Sequence, residues 1–335
     1  MRNTGVGSAL TVIATMAVAA LGFFYAFGSN TPVDSKIKVR LAINPWPGYE
    51  LLYLAQHLGF YEKEGLNVQL VEFSTLEDAR RSYELGQVDG MATTLVDIVQ
   101  VYHDTGEQPQ VVLVTDYSNG ADVILARSPK IRSAADLRGK RIAVEQMFAR
   151  FVLQSALEKH GVHLADVTLV EQNLLNANDG LRIGSVDAIV TYPPMSIDAL
   201  KLPGVHRVFD SSQTPGVISD VVALRRNVLA ANPGFEKRLR AVWKRSIEWY
   251  TLNRKEAVDV MARREGISPK EFESALEGIQ ILQPSQMNAM LAPNGALSLS
   301  VQRISEFDGW NSNVEGKRPN AELFFPRTIS LGTKE

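Results

Sequence analysis

A ten-residue pattern occurs twice in this chain, and this duplication limits the possible folds more than any other feature. The first copy, LGQVDGMATT, begins at Leu85, and the second, IGSVDAIVTY, begins at Ile183. Their glycines, Gly86 and Gly184, lie 98 positions apart. The helical patterns before them end near Gly65 and Gly161, which lie 96 positions apart. Such constant spacing indicates one supersecondary unit that is used twice.

Both copies contain the same order of predicted strands and helices. Short apolar runs are typical of buried strands, and apolar residues at helical spacing follow the first strand of each copy. The predicted strands are Lys38–Ile43 and Val68–Phe73 in the first copy, and Arg141–Glu145 and Val167–Glu171 in the second. Because strands alternate with helices, we predict two βαβαβ units, each with a mostly parallel sheet. Ligands of such sheets bind beyond the carboxyl ends of the strands.

Two extended segments, Val111–Arg127 and Gly216–Arg225, connect the predicted units. The sequence from Asn227 onward is mainly helical, and we expect it to pack on the first unit. The sequence thus predicts an α/β protein of two lobes joined by two hinge crossings. The predicted lobes are lobe 1, residues 37–118 and 222–335, and lobe 2, residues 119–221. One larger α/β domain is the alternative.

The amino-terminal segment, residues 1–36, is interpreted separately from the fold. Arg2 is followed by the apolar run Ala9–Phe27, and small residues come after it, as in a secretory signal. The run is also just long enough to span a bilayer, so an uncleaved membrane anchor is the alternative. Both interpretations place the remainder outside the cytoplasm, in the periplasm or an equivalent space. No Cys follows the run, which excludes a lipid-anchored lipoprotein.

The composition excludes several classes of function. The 35 Lys and Arg residues nearly balance the 37 Asp and Glu residues, which argues against a nucleic-acid partner. The absence of Cys excludes thiolate nucleophiles and Cys-ligated metal sites. The sequence has no phosphate-binding loop G-x-x-x-x-G-K-[ST], no H-E-x-x-H and no G-x-S-x-G, and its five His residues lack metal-ligand spacing. We therefore expect a protein that is not an enzyme and has no metal or cofactor.

Candidate binding residues of lobe 1 lie in loops at the predicted carboxyl edge. The turn Asn44–Tyr49, with two prolines and a glycine, presents Trp46 and Tyr49 as an aromatic wall; packing of Trp46 below the loop is the alternative. Thr93 and Thr94 end a repeated strand before a helix, where hydroxyls and free N–H groups can bind an anion or simply cap the helix.

Further candidates come from lobe 2 and from the two crossings. Lobe 2 offers Glu145, Phe148 and Arg150 in one loop, and Tyr192 at the end of the second repeat. The crossings contribute four candidates, which are Asp116, Tyr117, Ser118 and Asp220. Carboxylates on the hinge walls favour a ligand with a positive charge, whereas turn formation is the alternative role of the Asp residues.

Several stretches, in this order, resemble one family, the periplasmic solute-binding proteins of transporters for nitrate, sulfonates and taurine. Thiamine-precursor-binding proteins share that fold. The resemblance extends from about Lys36 to Arg226. The stretches that carry it are NPWPGYELLYLAQHLGFYEKEGL, LGQVDGMATTLVDIV, DYSNGADVILAR, LRGKRIAVE, IGSVDAIVTYPP and FDSSQTPGVISDVVALRR.

The resemblance implies a type II periplasmic binding protein fold that closes on its ligand by hinge motion. It also implies two partners, an ABC permease and a cytoplasmic ATPase, and it supports four cleft residues, which are Trp46, Thr93, Thr94 and Asp220. The chain departs from the family where Tyr192 is followed by Pro193 and Pro194 instead of an acidic residue. Arg150 is the one good cationic candidate, so the pattern favours an amine-bearing, zwitterionic or uncharged heterocyclic ligand over a simple anion.

The sequence therefore predicts the extracytoplasmic solute-binding component of an ABC importer. Its ligand is expected to be a small nitrogen- or sulfur-containing organic compound of the sulfonate, taurine, amine or pyrimidine type. We expect a monomer that contacts the membrane only through the amino-terminal segment. Two alternatives remain, a membrane-tethered ligand sensor or adaptor and an enzyme of pyrimidine-precursor metabolism. The absence of Cys argues against the enzyme, because the enzymes of this fold use a Cys-rich motif.

Overall fold

A computed structural model describes residues 37–292, 294–307, 310, 319 and 321–325. The segment interpreted as a signal peptide or membrane anchor, residues 1–36, lies outside the described residues. Within the described ranges, none of the helices has both the length and the apolar character needed to cross a membrane.

The first of two sheets has six strands in the order β2-β1-β3-β10-β4-β11. Its strands are β1 (Val39–Ile43), β2 (Val68–Glu72), β3 (Gly90–Thr94), β4 (Gln110–Ser118), β10 (Ser219–Leu224) and β11 (Ile279–Ile281). β1 pairs in parallel with β2 and β3, whereas β10 is antiparallel to β3 and β4. The carboxyl ends of β1, β3 and β4 therefore lie at the same edge as the amino end of β10.

The second sheet has five strands in the order β7-β6-β8-β5-β9. Its strands are β5 (Val123–Ala126), β6 (Arg141–Val144), β7 (Thr168–Glu171), β8 (Ala188–Thr191) and β9 (His206–Asp210). β6 is parallel to β7 and β8, and β5 is antiparallel to β8 and β9. The presence of two separate sheets confirms the two-lobed α/β fold.

Helices cover the strands in the order expected of repeated βαβ units. They are α1 (Glu50–His57), α2 (Phe60–Lys63), α3 (Leu76–Glu84), α4 (Leu95–Thr105), α5 (Gln146–Glu158), α6 (Leu174–Ile183), α7 (Met195–Leu200), α8 (Arg226–Ala231), α9 (Phe235–Leu252), α10 (Arg254–Glu265), α11 (Pro269–Leu276), α12 (Pro284–Met290) and α13 (Ala296–Ser305). Short 3₁₀ helices span Ala134–Leu137, Leu164–Asp166, Ser211–Gln213 and Ala321–Leu323.

The chain passes between the sheets twice, from β4 to β5 and from β9 to β10. Both predicted crossings are present, but each contributes antiparallel strands. The first is two strands separated by a turn at 119–122, not one extended segment. The prediction of a mostly parallel sheet therefore describes the repeated units, and the crossings make each whole sheet mixed.

The repeated motif has the same structural role in both lobes. Asp89 accepts hydrogen bonds from the backbone N–H and the guanidinium of Arg40, at the start of β1. Asp187 accepts the same bonds from Arg141, at the start of β6. In both copies the Asp fixes the amino end of the neighbouring strand, because one carboxylate bonds backbone and side chain together. The Asp of the repeat is thus structural and lies at the sheet edge opposite the carboxyl ends.

The helical tail packs mainly on the six-stranded sheet. Trp243 of α9 is buried and donates its indole N–H to the carbonyl of Leu282, 2.8 Å away. Arg240, on the same helix, donates to the carbonyl of Val112 in β4. Contacts of α9 with α1 and β4 follow from its apolar face, which carries Leu239 and Val242. This arrangement covers one face of the sheet and leaves its carboxyl edge directed at the second lobe.

Candidate functional site

The loop after β1 forms the first wall of the site. The backbone N–H of Tyr49 donates to the carbonyl of Trp46 at 2.8 Å, which closes a turn just before α1 begins. Pro45 and Pro47 restrict the backbone of this turn. Trp46 is 4% exposed and Tyr49 is 1% exposed, so both aromatic side chains are held inside the protein.

Gly48 makes this loop possible by lacking a side chain. A Cβ atom there would lie 2.5 Å from the indole nitrogen of Trp46 and 2.6 Å from the carboxyl carbon of Asp116. Ordinary contacts begin at 3.4 Å, so no other residue fits without moving these groups. The glycine lets the loop pack directly on the carboxyl group of β4.

Three strands of the first sheet bring polar side chains to the same edge. Asp220 of β10 lies opposite Thr94 of β3 on one side and opposite Asp116 of β4 on the other. The indole N–H of Trp46 donates to Asp116 Oδ1 at 3.3 Å, and the hydroxyl of Tyr49 donates to Asp220 Oδ1 at 2.6 Å. Each aromatic residue of the loop is therefore tied to one carboxyl group of the crossings.

The second lobe supplies the facing wall. Tyr192 follows β8, Phe148 lies in the first turn of α5, and Asp122 directly precedes β5. All three are buried. The rings of Trp46 and Tyr192 meet edge to face with centroids 5.9 Å apart, and Phe148 contacts Tyr192 at 6.1 Å. The aromatic contact between Trp46 and Tyr192 joins the two lobes directly.

A narrow cavity lies between these walls. The centre of a water molecule can reach about 10 Å³ of it, which is room for roughly one water. Its lining residues are Asn44, Trp46, Tyr49, Leu76, Thr94, Asp122, Phe148, Tyr192 and Asp220. The lobes are closely packed here, so entry of any organic molecule requires them to separate.

The ionisable side chains in and behind the cavity walls are acidic. Burial raises the pKa of Asp116 and that of Asp122 to about 7 each. Burial, reinforced by the charge of Asp116, raises the pKa of Asp220 well above its usual value. Asn44 Oδ1, Asp122 Oδ2 and Asp220 Oδ2 are buried and accept no hydrogen bond from a described residue. The walls therefore offer unused acceptors, and their lining residues include no Lys, Arg or His.

A sequence model described as "NMT1/THI5 like" matches residues 46–257, which include most of both lobes and every lining residue of the cavity except Asn44. The chain belongs to the NMT1/THI5-like family. The resemblance noted from the sequence motifs is confirmed by this match and by the structural comparisons.

Relatives and solved structures agree with this assignment. A protein of Brucella abortus (strain 2308), described as a binding protein, is 24% identical over 249 residues, which are 73% of this chain and 76% of the relative. The alkanesulfonate-binding protein SsuA from Xanthomonas axonopodis pv. citri, bound to MOPS, has a TM-score of 0.69 at 17% identity and covers 86% of this chain and 97% of its own. The periplasmic aliphatic sulphonate binding protein SsuA from Escherichia coli has a TM-score of 0.65 at 20% identity, covering 80% and 90%. These similarities show a periplasmic binding protein fold.

In this NMT1/THI5-like protein, six of the predicted candidates line the cavity. They are Trp46, Tyr49, Thr94, Phe148, Tyr192 and Asp220. Asp116 lies behind the lining and contacts it through Trp46. The grouping joins residues that are 171 positions apart in the chain, such as Tyr49 and Asp220.

The two threonines have a different arrangement from an anion site. Thr93 and Thr94 donate their hydroxyl hydrogens to Asp97 Oδ2, at 3.1 and 2.5 Å. Thr94 also accepts from the backbone N–H of Asp97 and caps α4. Because the Asp97 carboxylate already occupies the amino end of this helix, a second anion there is disfavoured. These contacts fit the alternative role considered from the sequence, which is helix capping, and not the anion site.

The remaining predicted residues lie around the cavity without lining it. Ser118 and Ser211 share a hydrogen bond of 2.6 Å, which joins the two crossings, and the neighbouring Tyr117 is only half-buried. Glu145 accepts from the backbone N–H of Leu174, and burial raises its pKa to about 7. Arg150 forms an ion pair with Glu171, with Nε 3.0 Å from Oε1.

Three lining residues, Asn44, Leu76 and Asp122, were not predicted as site residues. Asp122 is the most important of them, because its carboxyl group is buried in the wall. Its signal in the sequence is the turn at 119–122, whose last residue is acidic and directly precedes the apolar strand β5. Since β5 runs antiparallel to β8, its first residues lie at the carboxyl edge of the sheet.

Proposed function

We propose that this protein is the extracytoplasmic solute-binding component of an ABC importer, and that it captures a small organic compound bearing a positively charged or N–H-rich nitrogen group. The family, the two-lobed fold and the cavity between the lobes support the transport role. The walls of the cavity support the choice of ligand. Its partners are an ABC permease and a cytoplasmic ATPase. It binds the ligand and releases it chemically unchanged.

The observation that carries the proposal is the combination of aromatic rings and unpaired carboxyl oxygens in one narrow cavity between the lobes. Asp122 and Asp220 each contribute to the wall a carboxyl oxygen, Oδ2, that accepts no hydrogen bond from a described residue. The rings of Trp46, Tyr49 and Tyr192 surround them, and aromatic faces attract cations. A nitrogen cation would satisfy the carboxyl oxygens and contact the rings at the same time.

An anionic ligand fits these walls poorly. A sulfonate group would face two carboxyl groups without a cationic side chain among the lining residues that the structure describes. The predicted anion partner, Arg150, is 29% exposed and is already paired with Glu171. Burying a negative charge without a partner is strongly unfavourable. Among the ligand types expected from the sequence, the amine-bearing and aminopyrimidine types are therefore preferred.

Capture follows from the position of the two crossings. Lobe 1 is built on the six-stranded sheet and lobe 2 on the five-stranded sheet, and β10, from Ser219 onward, belongs to lobe 1. The two crossings, from β4 to β5 and from β9 to β10, then act as the hinge. The lobes separate to admit the ligand, and closure brings Tyr192 back against Trp46. The closed form presents the surface that the permease binds. The protein works in the periplasm or an equivalent space as a monomer, free or held by its amino-terminal segment.

A thermal unfolding screen with probes of matched shape tests the proposal. Benzylamine is the cation, benzyl alcohol the neutral control and benzenesulfonate the anion; 4-aminopyrimidine and taurine complete the panel. We expect the two amines to raise the melting temperature, since binding at one hundred times the dissociation constant adds about 2.7 kcal/mol of stability. Benzenesulfonate should have no effect.

Two variants connect the screen to the cavity. Asp220→Asn removes the charge from the wall and should abolish the stabilisation by benzylamine. Asp179→Asn removes an exposed carboxylate paired with Arg182 and serves as the matched control. Stabilisation by benzenesulfonate and taurine, with none by the amines, would reject the proposed ligand class.

A further inference from the structure

Asp116 and Asp220 face each other directly across two antiparallel strands. They are register partners in β4 and β10, and directly opposite side chains have Cβ atoms about 5 Å apart. Asp116 is 0% exposed and Asp220 is 2% exposed. One oxygen of each carboxyl group accepts a hydrogen bond, from Trp46 and from Tyr49 respectively. The other oxygen of each, Oδ2, accepts from no N–H or hydroxyl of another described residue, and the two carboxyl groups lie within hydrogen-bonding reach of each other.

The groups around this pair do not neutralise it. Tyr49 faces Asp220 from the turn before α1, Asp122 faces the pair from the turn between β4 and β5 in the first crossing, and Asp97 lies nearby on α4. The cation beside Asp97 is Arg80, whose Nε lies 3.7 Å from Asp97 Oδ1, and it is also paired with Glu84 and Asp104. β11 covers the outer side of β4 with Ile281 opposite Asp116. Two buried negative charges a few ångströms apart therefore have no counter-charge of their own.

We propose that Asp116 and Asp220 share a single proton, so that the pair presents one negative charge and selects a singly charged organic cation as the ligand. This inference rests on the proposed function and extends it. Asp220 lines the cavity and contacts the cation, whereas Asp116 lies behind it and determines its charge. Asp116 is thus a specificity-determining residue that does not touch the ligand.

The proton balance of capture follows from this arrangement. Around neutral pH the free pair holds its proton on Asp220, because its pKa is raised further than that of Asp116. When the cation binds, this proton moves to Asp116, the cation pairs with the Asp220 carboxylate, and no proton enters or leaves the protein. In acid, both carboxyl groups are protonated, so the O–H bond of Asp220 breaks on binding and its proton passes to water. The raised pKa of Asp116, about 7, agrees with protonation of the pair in this range. Binding of a fixed monocation weakens by about tenfold per pH unit on the acid side.

Infrared spectroscopy tests the shared proton without a ligand. Burial also raises the pKa of Glu265 well above its usual value, so the band of the pair is read from difference spectra between wild type and variant. At about pH 8, about four units above the pKa of an ordinary Asp, the difference between wild type and Asp220→Asn should contain the C=O band of one protonated carboxyl group. In Asp116→Asn this band should be lost with a titration midpoint at lower pH than in wild type, because the like charge of Asp116 is gone while burial still raises the pKa of Asp220. Asp179→Asn is the surface control, and its spectrum and titration should match those of wild type. A difference spectrum without the band, or the same titration midpoint in wild type and Asp116→Asn, overturns the proposal.

Calorimetry with benzylamine tests the exchange, with its doubly charged analogue p-xylylenediamine as the comparison. In two buffers of different ionisation enthalpy, wild-type protein should release about one proton per ligand near pH 5 and about none near pH 8. In Asp116→Asn the acid-side weakening should move to lower pH. Equal affinity for both amines, or the same pH profile in wild type and Asp116→Asn, contradicts the inference. Failure of every amine to bind while the infrared band is present rejects the proposed ligand class and retains the shared proton.

Discussion

The substitution Gly48→Ala tests the construction of the site, because it adds one methyl group at its tightest point. The new Cβ would approach the Trp46 indole nitrogen to 2.5 Å and the Asp116 carboxyl carbon to 2.6 Å. Relative to a 3.4 Å contact, these groups must move by about 0.9 and about 0.8 Å in a closely packed interior. The hydrogen bond from Trp46 to Asp116 is already 3.3 Å long, so a shift of this size breaks it.

The expected cost combines two effects. Inserting a methyl group into a packed site costs about 1 to 3 kcal/mol, and a buried group that loses its hydrogen bond adds about 1 to 3 kcal/mol. Gly48→Ala should therefore lower the free energy of unfolding by about 2 to 6 kcal/mol, measured by urea titration. It should also weaken amine binding at least tenfold, since about 1.4 kcal/mol corresponds to a factor of ten.

Gly161→Ala is the matched control for this prediction. Gly161 has φ +63° after α5, and nothing lies within 4 Å of the position a Cβ would take. This variant should lose about 1 kcal/mol from backbone strain and bind ligand normally. A Gly48→Ala protein with wild-type stability and affinity would refute the close approach of Trp46 and Asp116 to the loop.

Three further predictions concern pH, the repeated motif and the contact between lobes. Burial raises the pKa of Asp116 and that of Asp122 to about 7, so the folded state binds more protons than the unfolded state between about pH 4 and 7. The free energy of unfolding should therefore fall as the pH rises through this window, by about 1.4 kcal/mol per pH unit for each of the two carboxyl groups. Asp89→Ala and Asp187→Ala should each lower stability by about 1 to 3 kcal/mol in urea titration, with the larger loss at the less exposed Asp89. Gln146→Gly should relieve the strain of φ +50° and remove the side-chain bonds that join the lobes, so that ligand dissociates faster in stopped-flow experiments.

Each of these predictions has a contrary outcome. Higher stability at pH 7 than at pH 5 would show that the buried carboxyl groups are ionised at no cost in the folded protein. Unchanged stability in both Asp→Ala variants would show that the repeated ion pairs contribute nothing. Unchanged ligand dissociation in Gln146→Gly would mean that its contacts with Glu77 and Arg80 do not hold the lobes together.

The fold was predictable because the spacing of apolar residues in the sequence is periodic and because the strand–helix pattern occurs twice. The five-residue apolar runs and the two copies of the strand–helix pattern predict β1, β2, β6 and β7 to within one or two residues. The direction of the crossing strands was not predictable in this way. An extended apolar segment such as Val123–Ala126 fits either direction, and only pairing with β8 makes it antiparallel.

The candidate site was predictable where a single loop carries its chemistry, as with Trp46 and Tyr49. Asp122 was missed because an acidic residue after a turn has an ordinary local explanation. Arg150 was favoured by its charge alone, and its ion pair with Glu171 depends on the alignment of neighbouring strands β6 and β7. Side-chain partners across strands are not encoded in local sequence patterns, so their prediction requires the register.

The most direct test of the central claim is a crystal structure of the protein with benzylamine bound. The account predicts the ligand nitrogen within hydrogen-bond distance of Asp220, with the ring held between Trp46 and Tyr192. A ligand seated outside this cavity, or an anion from the crystallisation solution bound against Asp220 in its place, would contradict the account.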